Sequence, residues 1–159
     1  MNNHSITTLI VAALIVDTIV GYSLLFNKNS GKTIRQWYNQ FTIGAYIMDI
    51  ASLIIGAFIA TLLTSSYYLQ LLCVVLIGII HDTSFALFLN SVNTKSSKIL
   101  EFFKSYAKEY GKLILLVDAL MLVSTLIVSN YLLKNLSNNN IIFLGITFLY
   151  FGLLMVYSF

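Results

Sequence analysis

Proline is absent from the chain, and cysteine occurs only once, as Cys73. Without proline, no helix is interrupted by a missing backbone donor. A single cysteine excludes an intrachain disulfide and a cysteine cluster for zinc or redox chemistry. Charged residues are also scarce, at 9% of the chain, against roughly 25% in soluble domains. The composition therefore indicates a membrane protein before any motif is considered.

Long apolar runs fill most of the chain, and a membrane span needs about 20 residues. We predict an all-α membrane protein, a bundle of five transmembrane helices in one transmembrane domain over residues 1–159. A short amphipathic interfacial helix at about 96–110 is expected between the third and fourth helices. The predicted spans are about 6–26, 41–63, 67–89, 113–133 and 141–159.

The first of these runs contains Asp17 and follows a start without lysine or arginine. A signal peptide has a basic start and a shorter apolar region, so we expect 6–26 to remain as a membrane helix. Residues 27–40 are interpreted as a polar, turn-rich loop. Trp37 and Tyr38 at its end are expected at the level of the lipid headgroups.

The basic residues predict the orientation. Eight of the nine lie in loops on one side of the membrane, and only Lys134 lies on the other; the eight are Lys28, Lys32, Arg35, Lys95, Lys98, Lys104, Lys108 and Lys112. By the positive-inside rule the N-terminus is outside and the C-terminus is cytoplasmic. Because the basic residues flank apolar spans, the expected partners are the bilayer and its anionic lipids, not nucleic acid. Oligomerisation is left open.

The predicted interfacial helix has an apolar face and a charged face. Ile99, Phe102 or Phe103, Tyr106 and Tyr110 recur at helical spacing. The residues expected to contact the membrane surface are Lys98, Lys104, Lys108, Phe102 and Phe103.

Five ionisable residues lie inside the predicted spans: Asp17, Asp49, His81, Asp82 and Asp118. An aspartate at a helix centre costs roughly 2.5–3.5 kcal/mol. With a rise of 1.5 Å per residue, all four aspartates fall roughly 1–8 Å from the midplane, on the cytoplasmic side. We therefore expect a shared acidic layer between the helices. Adjacent residues point about 100° apart on a helix, so His81 and Asp82 are each expected to find a partner on a different helix.

Small residues accompany the aspartates on the same helix faces. They predict close helix packing at Ala45, Ser52, Gly56 and Ala60 around Asp49, at Gly21 near Asp17, and at Gly78 near Asp82. Asp17-Thr18 and Asp82-Thr83 are each followed by a loop and by a helix with one aspartate, 32 and 36 residues further on. This similarity is compatible with a duplicated helical hairpin.

Three segments together resemble a known group of proteins: Ile80-His81-Asp82, the run from Phe102 to Glu109, and Val117-Asp118. The chain from about Asp49 onward is similar to small multi-pass membrane proteins of large DNA viruses of algae and protists. The resemblance implies a viral origin and no particular activity.

Three functions are compatible with the acidic layer. We favour a proton or cation pathway, resembling a channel or transporter, through the aspartates and His81. The alternative is a structural or interaction protein of a viral or host membrane, with the aspartates as neutral hydrogen-bonding groups. The third is an intramembrane metal-dependent enzyme, although an enzyme is the less favoured class. No cofactor is identified, a bound cation is left open, and the sequence does not define metal ligands.

Overall fold

The computed structural model describes residues 4–26, 32–93 and 97–158. Within these residues the chain forms helices and no strand: α1 Ile6–Phe26, α2 Lys32–Leu63, α3 Tyr67–Ser91, α4 Lys98–Tyr110, α5 Leu113–Asn135 and α6 Asn138–Tyr157. All except α4 are long and apolar enough to cross a membrane. The all-helical class and the five candidate spans are confirmed. The interfacial position of α4 stays a prediction, and Lys28 and Lys95 lie outside the described residues.

The start of α2 differs from the expectation, because the segment 32–40 is helical rather than a loop. Its apolar side chains Ile34, Trp37, Tyr38 and Phe41 follow helical spacing. The first three are buried, so this segment packs against the bundle through one face. Trp37 and Tyr38 are therefore core residues here, with 7% and 5% exposure, and their expected level at the lipid headgroups stays a prediction.

A break at Thr42 divides α2 into an amphipathic segment and a spanning segment. Thr42 has φ 47° and ψ −127°, inside an otherwise helical stretch. Positive φ is unusual for a residue with a branched side chain, so the surrounding contacts must hold it in place. Gly111 has nearly the same conformation, φ 53° and ψ −127°, between α4 and α5. Each of these two amphipathic segments is thus joined to the following spanning segment by a residue with positive φ.

The bundle is built around α1, which packs against α2, α5 and α6, while α3 packs against α2 and α5. Small residues allow this close approach. The side chain of Leu122 lies against Gly56 and Gly78, where an added Cβ would lie 2.7 and 2.9 Å from its methyl carbons.

The packing role predicted for small residues fits the burial of five of them: Ala45, Ala60, Gly21, Gly56 and Gly78. Gly21 lies against Met155. Ser52 does not pack. It is exposed, and its hydroxyl donates to the carbonyl of Asp49 at 2.8 Å, so the turn of helix that carries Asp49 satisfies it locally.

Candidate functional site

Asp17 lies at the centre of the bundle. It is 2% exposed, and its Oδ2 atom is buried with no hydrogen-bond partner. Its carboxyl interacts electrostatically with that of Asp49 on the neighbouring helix. The adjacent Thr18 hydroxyl lies 2.9 Å from the hydroxyl of Tyr46, which is also buried. A buried carboxyl oxygen without a donor is costly.

Asp49 is held from the other side of the break in α2. Its Oδ2 atom accepts hydrogen bonds from Trp37 Nε1 at 2.9 Å and from the Tyr38 hydroxyl at 3.2 Å. The donors lie before Thr42 and the acceptor after it, so these bonds join the two segments of α2. Sequence reasoning missed both donors, because nothing in the sequence marks a threonine as the point where the helix turns.

His81 and Asp82 form a contact with each other, and the expectation of separate partners is wrong for this pair. His81 Nδ1 lies 2.9 Å from Asp82 Oδ1. The long imidazole reaches across the angle that separates the two side chains at the helix axis. The side chain of His81 is 67% exposed and that of Asp82 is 14% exposed. Asp82 Oδ2 is buried and has no hydrogen-bond partner, so it faces the interior while His81 faces outward.

Asp118 on α5 connects these two groups. Its carboxyl interacts electrostatically with Asp82, Asp49 and His81. The hydroxyl of Tyr106 on α4 interacts with the same set of carboxyls, Asp118, Asp49 and Asp82. The acidic residues thus form a series across four helices, Asp82, Asp118, Asp49 and Asp17. Tyr106 is a further member that the sequence showed only as part of an apolar face.

A second polar cluster occupies the opposite end of the bundle. His4 Nδ1 lies 2.9 Å from Ser129 Oγ, and the Ser129 hydroxyl donates to Thr8 Oγ1 at 2.9 Å. Burial lowers the pKa of His4 from its ordinary value of 6.5, and the neighbouring Gln70 side chain opposes this effect. Sequence reasoning missed this cluster, because His4 precedes the first span and the hydroxyls carry no charge.

The face of α5 joins the acidic layer to this cluster. Asp118, Leu122, Thr125 and Ser129 follow one another at helical spacing, and Thr125 and Ser129 are fully buried. About 16 Å separate Asp118 from Ser129 along the helix axis. Leu122, seated against Gly56 and Gly78, lies between them. The face is polar at both ends and interrupted by one apolar side chain.

The described residues contain no group of three or more His, Cys, Asp or Glu side chains that could hold a metal ion. A structural zinc site would need four donors.

The aromatic residues of α4 face the bundle. Phe102 is 5% exposed and stacks on Trp37 with ring centroids 4.8 Å apart. Phe103 contacts Trp37 and Phe85 at 5.1 Å each. The prediction that these two phenylalanines contact the membrane surface is therefore corrected for Phe102, whereas Phe103 is half-buried and its contact with the membrane stays a prediction. Lys98, Lys104 and Lys108 are exposed, and their contact with anionic lipid stays a prediction.

Glu109 at the end of α4 holds the start of α2. Its carboxylate accepts from the backbone amides of Lys32 and Thr33 at 3.1 and 3.2 Å, and from the Thr33 hydroxyl. These amides are among the donors that a helix start leaves without intrahelical partners. The hydrogen bonds from Thr33 lower the pKa of Glu109 below its ordinary value of 4.5.

Glu109→Gln is expected to lower the free energy of unfolding by a fraction of 1 kcal/mol, because the bonds lie at the surface. Since the pKa is lowered in the folded state, the contribution is present above pH 4.5 and is lost as the pH falls through the lowered value. Unfolding in mixed micelles at neutral and acidic pH measures it. Glu101→Gln, on the same helix, is the control. If the stability of the wild type, Glu109→Gln and Glu101→Gln depended on pH in the same way, the stabilising role of the Glu109 hydrogen bonds would be contradicted.

The five long apolar helices define the class: the chain is a multi-pass helical membrane protein. Comparison with known protein families, curated proteins and solved structures gives no match. Viral origin and orientation stay predictions, and the function is argued from the site alone.

Proposed function

We propose that the protein is a pathway for protons across the membrane, along His81, Asp82, Asp118, Asp49 and Asp17. One observation carries the proposal. The series runs from an exposed end to a buried end: the His81 side chain is 67% exposed, Asp82, Asp118 and Asp49 are half-buried, and Asp17 is 2% exposed. Each carboxyl lies close enough to the next for their charges to interact. Ionisable residues inside a membrane bundle typically mark ion pathways and proton relays.

The chemistry of each member suits its place. His81 is the exposed member of the series, and it contacts Asp82. Neighbouring carboxylates in a medium of low dielectric repel each other strongly, so each pair favours one shared proton or one small cation. The buried Oδ2 atoms of Asp82 and Asp17, which have no hydrogen-bond partner, are the atoms that accept this proton.

The polar cluster of His4, Thr8 and Ser129 is the exit for protons at the opposite end of the bundle. Thr125 lies on the same face of α5 between that cluster and Asp118. Leu122 fills the space between Gly56 and Gly78 and separates the acidic layer from Thr125. Protons pass this point when Leu122 moves aside and water connects Asp118 to Thr125. Leu122 is therefore the gate of the pathway.

Proton flux into liposomes tests the proposal, using a trapped pH indicator and a potassium diffusion potential. The wild-type protein is expected to exceed empty liposomes, and Asp82→Asn and His81→Ala are expected to fall to that background. Glu101→Gln is the matched control, since it removes an acid outside the layer. Wild-type flux equal to empty liposomes would refute the proposal. Flux driven by a sodium or potassium gradient, without proton flux, would replace the proton by that cation.

The structural alternative is favoured by a different observation, the hydrogen bonds from Trp37 and Tyr38 to Asp49. They stabilise the break in α2 and need no transported ion. In that case the protein is a structural or interaction protein of its membrane, viral or cellular. The aspartate-to-asparagine variants would then differ from the wild type in stability only. Proton flux would stay at the level of empty liposomes in the wild type and in every variant.

A further inference from the structure

We infer that the chain consists of two structural repeats, α1–α2 and α3–α5, and that each repeat contributes one proton-sharing carboxyl pair, Asp17–Asp49 and Asp82–Asp118. The role of the pairs in transport rests on the proposed function. The equivalence of the two pairs does not, because it follows from the backbone, the spacing and the burial described next.

The first correspondence is the backbone break. Thr42 and Gly111 share φ and ψ within 6°. Each stands between an amphipathic helical segment, 32–41 or 98–110, and a spanning segment that begins just after it. Thr42 and Gly111 are the two residues with positive φ in the described part of the chain. Both occupy the same place in successive units.

The second correspondence is the spacing around the break. An aromatic side chain lies five residues before it, Trp37 or Tyr106, and an aspartate lies seven residues after it, Asp49 or Asp118. Trp37 donates to Asp49, and Tyr106 interacts electrostatically with Asp118. The interaction of Trp37 is a hydrogen bond, and Tyr106 occupies the equivalent position relative to Asp118.

The third correspondence is burial further along the span. The positions 11, 14, 15 and 18 residues after the break are buried in both repeats. They are Leu53, Gly56, Ala57 and Ala60 in the first repeat, and Leu122, Thr125, Leu126 and Ser129 in the second. Equal offsets with equal burial mean that the two spans present the same face to the bundle.

The first helices of the repeats correspond as well. Ala13, Asp17 and Gly21 match Gly78, Asp82 and Ala86, with a small residue four positions before and after each aspartate. Leu9 and Val74, one turn further back, are both 0% exposed. The lengths differ only between the first aspartate and the break, 25 residues against 29, while the break and the second aspartate are seven residues apart in both.

Packing follows the same scheme, since α1 and α3 each contact both α2 and α5, and α2 contacts α5. Two parallel units that exchange contacts in this way are related by a pseudo-two-fold axis along the membrane normal. Asp49 and Asp118 are equivalent residues of the two units, and their carboxyls interact with each other. The two pairs therefore meet near the axis, and α6 is an addition to the repeat.

The pairs differ in access. Asp17–Asp49 is enclosed, with Asp17 2% exposed and its Oδ2 lacking a donor, while Asp82 contacts the exposed His81. The pair Asp17–Asp49 consists of two carboxyls, and the pair Asp82–Asp118 has in addition the imidazole of His81, 2.9 Å from Asp82 Oδ1. One proton held between two carboxyls matches this donor set, so the two pairs are proton sites in series, one open and one closed.

Infrared spectra of the full chain in liposomes test the inference. Aspartate labelled with ¹³C at its side-chain carboxyl separates protonated aspartic acid from Glu101 and Glu109. The band of protonated aspartic acid is expected to correspond to two of the four aspartates. It should fall by half in Asp17→Asn/Asp49→Asn, and by half in Asp82→Asn/Asp118→Asn. In heavy water, the half that belongs to Asp82–Asp118 should shift first.

A wild-type band of none, one or four aspartic acids would overturn the inference, and this measurement needs no variant to fold. A band lost entirely with one double variant would overturn it as well. The result is independent of flux: both half-bands in a protein without proton flux would refute the proposed function and support the two pairs. A band that belongs to one pair alone, in a protein with proton flux, would support the proposed function and refute the two pairs.

Discussion

Gly152→Ala is expected to lower the free energy of unfolding by about 3 kcal/mol, the upper end of the usual range for overpacking. A Cβ at Gly152 would lie 2.0 Å from the hydroxyl oxygen of Tyr46 and 2.1 Å from its Cζ. Tyr46 is 1% exposed and its hydroxyl lies 2.9 Å from that of Thr18. The ring therefore has no free space to enter and would lose this hydrogen bond if it moved. Unfolding in mixed micelles measures the loss.

Gly44→Ala is the matched control, because nothing lies within 4 Å of a Cβ at that helical position. It is expected to stabilise the protein by up to about 1 kcal/mol through helix propensity. Tyr46→Leu should reduce the cost of Gly152→Ala, since a shorter side chain leaves room for the methyl group, and a double-mutant cycle measures this coupling. Equal stability of Gly152→Ala and Gly44→Ala would show that α6 does not pack on Tyr46 in this way.

Much of the fold follows from the sequence because apolar length decides it. The bounds predicted for the first span, 6–26, are those of α1, and the predicted third and fourth spans begin at the first residues of α3 and α5. The start of α2 was missed for a physical reason. Polar residues are interspersed with Ile34, Trp37 and Tyr38, and the composition of an exposed loop is similar to that of an amphipathic helix. Only the tertiary contacts of those three side chains distinguish the two.

The candidate site was predictable as a set of residues and not as an arrangement. The cost of aspartates at membrane depth indicates that Asp17, Asp49, Asp82 and Asp118 share a layer. Which carboxyl faces which depends on the rotation of each helix about its axis. The donors Trp37 and Tyr38 reach Asp49 only because the chain turns at Thr42, and threonine is not a residue that predicts positive φ. The contact between His81 and Asp82 depends on side-chain rotamers, which helical geometry alone does not determine.

The two repeats illustrate the same limit. From the sequence, the spacings of 32 and 36 residues between paired aspartates argue against a strict duplication. The backbone break supplies the missing reference point. Measured from Thr42 and Gly111, Asp49 and Asp118 fall at identical positions, and the difference in length lies between the first aspartate of each repeat and the break. Unequal spacing between the paired aspartates is therefore compatible with equal structure after the break.

Asp17→Asn is expected to change stability and flux in opposite directions. The carboxyl of Asp17 has a buried oxygen without a hydrogen-bond donor and faces Asp49. An amide of the same shape supplies a permanent hydrogen-bond donor toward Asp49 in place of a proton that the pair must take up from solution, which is worth about 1 kcal/mol. The free energy of unfolding should therefore rise by about that amount. Proton flux should fall at least about tenfold, which corresponds to a barrier raised by about 1.4 kcal/mol, because an amide does not exchange a proton with Asp49.

Asp49→Asn is the matched control for this trade between stability and flux. Asp49 accepts hydrogen bonds from Trp37 and Tyr38, and bonds to a charged acceptor are stronger than bonds to a neutral one. The same isosteric change should therefore lower the free energy of unfolding by about 1 kcal/mol, while it also lowers flux. Unfolding in mixed micelles and proton flux in liposomes, measured on both variants, separate the two roles. If Asp17→Asn destabilises the protein as much as Asp49→Asn, the carboxyl of Asp17 has a structural role and does not transfer protons.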